Sequence, residues 1–127
     1  MRSMSPIKSG FADHIKATAP ATWGPHRVGD AMILATADNK LTAIGADGQT
    51  RWQVPIENGD LVGTPLAQDD SLLIAYKKGV VERRSLADGA LVAAKNIEQP
   101  LASGVVPFLR RLIIAGNDGT LLVIDQP

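Results

Sequence analysis

The chain has 127 residues, thirteen basic and thirteen acidic, is 45% hydrophobic and contains no cysteine. That length makes one domain-sized unit able to bury roughly two thirds of its unfolded surface, and the balanced charge excludes an overall field for nucleic acid or an anionic membrane. The lack of cysteine removes disulfides, thiolate metal sites and a cysteine nucleophile together, and no run approaches the ~18 apolar residues of a membrane helix.

Residues 1–20 stand apart from the rest of the chain, and the opening MRSMSPIKSG lacks the apolar centre of a secretory signal. From residue 21 to 127 the chain repeats itself. Moving Leu61 onto Leu101, a shift of about 40 residues, lays Leu72-Leu73-Ile74-Ala75 on Leu112-Ile113-Ile114-Ala115 and Gly79 on Gly119 without a gap. The same shift backwards lays Met32-Ile33-Leu34-Ala35 on this run, Pro25 on Pro65 and Asn39 on Gly79.

Within each copy, short apolar runs are divided by turn residues, with no helical stripe. The first copy, about residues 24–56, predicts strands at Pro25–Val28, Ala31–Thr36, Lys40–Ile44 and Thr50–Val54. The second, about 63–97, predicts Gly63–Ala67, Leu72–Tyr76, Val80–Ser85 and Leu91–Lys95. The third, about 104–127, predicts Gly104–Phe108, Leu112–Ala115 and Thr120–Ile124 and lacks a fourth strand. The hairpins fall at Ala37–Lys40, Lys77–Gly79 and Asn117–Gly119, and a second turn at Ala46–Gly48 and Ala87–Gly89, where Asn and Gly tolerate positive backbone angles. Four short strands every ~40 residues is the period of a β-propeller blade, so the expected fold is all-β, with antiparallel four-stranded blades forming a partial propeller of about three.

The segment Ala43–Trp52, AIGADGQTRW, then resembles the quinoprotein-like propeller repeat, whose blades carry A-x-D-x-x-T-G-x-x-x-W between their third and fourth strands. Gly48 stands four residues before Trp52 as that motif requires, although the spacing from Ala43 is one residue short and Gly45 stands near the place of the Asp. The second copy keeps Gly89 but has Arg83, Ser85, Asp88 and Ala93 at the other motif positions, and the third reaches the motif at Asp125. The resemblance implies that Ala43, Gly48, Trp52, Gly89 and Asp125 are structural: Gly allows the turn and a close approach, and Trp wedges between blades.

Enzymes that resemble this repeat use pyrroloquinoline quinone with calcium, many with a vicinal cysteine pair. Here cysteine is absent and no Asp, Glu and Asn cluster has calcium-loop spacing. Asp69 and Asp70 read as a turn, His14 and His26 stand apart without a nucleophile, and no G-x-S-x-G elbow occurs. The expectation is therefore a non-enzymatic binding or protein-interaction scaffold with no cofactor or metal site. The competing expectation is a fragment of a quinone- and calcium-dependent dehydrogenase.

Trp23, His26, Phe108 and Arg110 are the candidate loop contacts, and the basic pairs Lys77-Lys78, Arg83-Arg84 and Arg110-Arg111 read as solvated surface. A partial propeller leaves blade faces to be covered, by the remaining blades of a longer parent chain or by a second copy. Phe11–Lys16 falls opposite the end of a fourth strand and is the candidate to complete the third blade in a neighbouring chain; the alternative expectation is that residues 1–20 form a disordered tail or a short helix. Proteins that resemble this repeat are often exported, which implies an extracytoplasmic parent.

Overall fold

A computed structural model describes residues 19–127, and every regular element among them is a β-strand. The expected edge strand at Phe11–Lys16 lies outside the described residues. The strands are β1 (Ala21–Val28), β2 (Ala31–Thr36), β3 (Lys40–Gly45), β4 (Thr50–Pro55), β5 (Leu61–Gln68), β6 (Ser71–Tyr76), β7 (Val80–Ser85), β8 (Leu91–Asn96), β9 (Val106–Phe108), β10 (Arg111–Ala115) and β11 (Leu121–Ile124). They form three antiparallel meanders in sequence order: a four-stranded sheet of β1–β4, a second of β5–β8, and a three-stranded sheet of β9–β11 with β10 in the middle. The chain divides into two compact units, one running to Ile56 and including Ala87–Gly89, the other comprising Glu57–Leu86 and Ala90–Pro127.

The predicted strands recur within a few residues, and the departures have local causes. β1 and β5 begin earlier than expected and each carries a ladder irregularity, between Trp23 and His26 and between Val62 and Leu66. Pro25 and Pro65 lie inside these irregular stretches, where a residue without an N–H cannot continue a regular ladder. β9 is shorter than expected because Ser103 Oγ takes the Ala115 N–H at 2.9 Å, so a side chain replaces a backbone partner there.

The first hairpin of each copy turns on one residue with a positive φ: Gly29 at 62°, Asp69 at 56° and Leu109 at 57°. These positions share one register, so Asp69 owes its place to backbone conformation, which Asp tolerates better than most residues. Leucine does not, and Leu109 is also the most exposed large apolar residue described, at 89%.

In the first unit, β2 and β3 are buried on both faces, which is why they read as nearly unbroken apolar runs rather than alternating ones. Trp52 on β4 stands opposite Ala43 on β3, and both are buried. Gly89 sits under the indole with φ +76°, and a Cβ there would lie 2.5 Å from Trp52 Cε3. Only glycine fits that backbone conformation and that separation. Gly48 has φ +80° in the Ala46–Gly48 turn, and Arg51 makes a two-bond ion pair with Asp30 at 2.9 and 2.8 Å.

In the second unit, one core joins the second and third sheets. Leu73, Ala75 and Val81 from β6 and β7 cluster with Leu101, Val105, Leu112, Ile114 and Ile124. The pairs Leu112–Ile124 and Ile114–Leu122 stand directly opposite each other across β10 and β11, so these even-numbered residues share the core face.

Candidate interaction surface

The alternation that sends Leu112, Ile114 and Ile124 into the core sends the odd-numbered residues of β10 and β11 the other way. Three cross-strand rows result: Phe108–Arg111 continued by Asp125, Val106–Ile113–Val123, and Ala115–Leu121. This face is open. Val106 is 58% exposed, Phe108 56%, Leu121 71% and Val123 55%. Phe108, Leu109, Arg110, Arg111, Ile113 and Val123 line a concavity of about 660 Å³ at one end of it. At the rim, Arg111 Nε lies 3.4 Å from Asp125 Oδ1, with both side chains mostly in water, where such a pair adds little stability.

The same register positions in the second sheet are covered. Leu73, Ala75 and Val81 correspond to Ile113, Ala115 and Leu121 after the shift of about 40 residues, and all three are buried against the third sheet. Among the described residues β11 also has no strand on its outer side, whereas β7 has β8. Arg83, which occupies the motif position of a small Ala, ties down the segment after β11. Its guanidinium donates to the Pro127 carbonyl at 2.9 Å, to Gln126 Oε1 at 2.9 Å and to Gln68 Oε1 at 2.8 Å.

Of the residues expected to make loop contacts, Phe108 and Arg110 come together in this concavity. Three of the four are nevertheless strand residues rather than loop residues: Trp23 and His26 lie in β1 and Phe108 in β9. Trp23 and His26 pack on each other in the first unit, with ring centroids 4.5 Å apart and planes tilted by 54°, because the irregularity around Gly24-Pro25 puts two residues three apart on one side of the strand. Among the described residues no three His, Asp or Glu side chains gather in a metal-binding arrangement.

The Arg83-Arg84 pair is not solvated surface. Both lie in β7, and Arg84 is buried with Glu82, its Nε donating to Glu82 Oε1 at 2.9 Å. The same oxygen accepts from the Tyr76 hydroxyl at 2.7 Å, and Glu82 Oε2 accepts from Asn58 Nδ2 at 2.6 Å. Every oxygen of this 2%-exposed carboxylate is therefore paired, as a buried charge requires. Burial, and then the bond to the carboxylate, push the Tyr76 phenol well above its ordinary value of 10.0, so it stays a donor. The signal was present in the repeat: Glu82 and Arg84 stand at the register of Leu122 and Ile124, two charges on a core-facing row.

No family model matches the chain. A pseudouridine-5'-phosphate glycosidase of Glaesserella parasuis serovar 5 (strain SH0165) is 27% identical over 93 residues, which make up 72% of this chain and 28% of that protein. Among solved structures, BamB from Moraxella catarrhalis matches with a TM-score of 0.64 at 19% identity, over 80% of this chain and 30% of its own. BBS1N, solved in complex with ARL6DN and soaked with mercury, matches with a TM-score of 0.69 at 15% identity, over 89% of this chain and 39% of its own. The computationally designed Ika4 protein matches with a TM-score of 0.63 at 10% identity, over 80% of this chain and 64% of its own. The chain thus spans about a third of each natural structure and of the curated relative. These structural neighbours are β-propellers, and the antiparallel sheets of this chain are blades of the β-propeller fold.

Proposed function

We propose that the chain is a non-enzymatic protein-interaction module built from propeller blades of the quinoprotein-like kind, and that it works by offering a blade face to another β-sheet. The observation that carries this reading is the outer face of the third sheet. Two of its three cross-strand rows are wholly apolar, the third adds Phe108 beside the Arg111–Asp125 pair, and the face is open to solvent, while the same register in the second sheet is core. Contiguous apolar surface of this kind marks interaction sites rather than ordinary solvent-facing sheet. The AIGADGQTRW segment supports the quinoprotein-like assignment, and an extracytoplasmic parent protein follows from that assignment. The cover for the open face is either further blades of a longer chain or another subunit.

Titration calorimetry with calcium and pyrroloquinoline quinone, separately and together, tests the reading. A scaffold gives no saturable heat. Saturable binding of the quinone that depends on calcium would replace it with a dehydrogenase fragment.

A further inference from the structure

Resting on the interaction-module reading, we propose the occupant of the open face: a second copy of this chain, with the outer faces of the two third sheets packed on each other about a two-fold axis.

The face has the chemistry of a sheet-on-sheet contact. Its middle row, Val106–Ile113–Val123, is wholly apolar and runs straight across three strands, flanked by Phe108 on one side and Leu121 on the other. A pleated apolar surface of this kind is complemented by another such surface about 10 Å away. The exposed parts of these side chains and Leu109 amount to on the order of 500 Å², so a two-fold pairing would bury about 1,000 Å², the lower bound of a specific interface. The corresponding face of the second sheet, made by Leu73, Ala75 and Val81, is covered within the chain by another sheet, so this register is one on which a sheet packs.

The charges on the face favour a symmetric pairing, because the outer face of the third sheet is self-complementary. Its rim carries both signs of charge, Arg111 beside Asp125, so a two-fold axis can set the cation of one copy near the carboxylate of the other.

The test is sedimentation equilibrium of the full chain from about 1 to about 100 µM. The expected result is twice the chain mass at the upper end. The double variant Leu121→Lys/Val123→Glu, which changes only exposed side chains, should raise the dissociation constant at least about ten-fold with an unchanged circular dichroism spectrum. Leu91→Lys, at a 53%-exposed position on β8, should leave it unchanged. A wild-type monomer throughout the range overturns the proposal. So does a dimer that survives the double variant, since it would be held along the β11 edge or elsewhere, and so does one weakened equally by Leu91→Lys. None of these outcomes bears on the calorimetry, which alone decides between scaffold and dehydrogenase fragment.

Discussion

The second and third sheets are built on one apolar plan and meet different fates. Leu73 and Val81 are fully buried, while Ile113 and Leu121, at the same register, lie on an open face. On the other side the contrast reverses in character. The third sheet sends Leu122 and Ile124 inward, whereas the second sheet places Glu82 and Arg84 there and buries them as a network with Tyr76 and Asn58. A side chain's hydrophobicity therefore does not set its burial in this protein; the presence of a neighbouring sheet does. A charge can be buried where every carboxylate oxygen finds a donor.

Substitutions in the two sheets test that contrast. The largest effects should come from what the sheets share. Leu112→Ala, in the core between them, should cost about 3–5 kcal/mol of unfolding free energy, measured by denaturant titration. Glu82→Ala should cost a similar ~3–5 kcal/mol, because it removes the buried carboxylate that pairs with Arg84 and accepts from Tyr76 and Asn58; a loss under about 1 kcal/mol would show that water reaches the network. In the first unit, Trp52→Ala should cost about 3–5 kcal/mol if the indole packed on Gly89 is the wedge that the repeat motif requires.

Tyr76→Phe should cost less, about 1–3 kcal/mol, by leaving one carboxylate oxygen a donor short. It should also alter the pH profile. The phenol's folded-state value is raised above its ordinary 10.0, so the protonated group favours the folded state. The wild type then keeps its full stability below pH 10 and loses it as pH rises above the unfolded value toward the folded one. Thermal melts between pH 8 and 11 should show a decline that Tyr76→Phe lacks. The smallest effect should be Leu121→Ala, within about 0.5 kcal/mol at concentrations where the chain is monomeric, against a loss of about 1–3 kcal/mol for Val81→Ala at the same register of the second sheet.

Much of the fold was legible in the residues. The shift that aligns Leu72–Ala75 with Leu112–Ala115 located the middle strands, and Asn39, Gly79 and Gly119, aligned as one turn position, all have positive φ. Less legible were the ladder irregularities at Pro25 and Pro65 in β1 and β5 and the Ser103 hydroxyl that cuts β9 short, because each depends on which backbone partner lies across the ladder. The open face was half legible. Phe108 and Arg110 were readable as candidate loop contacts, but Val106, Leu121 and Val123 were indistinguishable in composition from core residues. The burial of Arg84 was hidden because a charge doublet looks solvated until the alternation of a strand separates its members, sending Arg83 to Gln126 and Pro127 and Arg84 to Glu82.

Strand order, turn positions, the repeat and the three-strand content of its last copy were all written in the chain, since period-two alternation and turn chemistry are local properties. Tertiary packing alone selected which of two largely apolar faces is core, which charges are buried and which glycine must meet Trp52. Those outcomes depend on surfaces brought together from residues some 40 positions apart, and no local preference encodes which of them will find a partner.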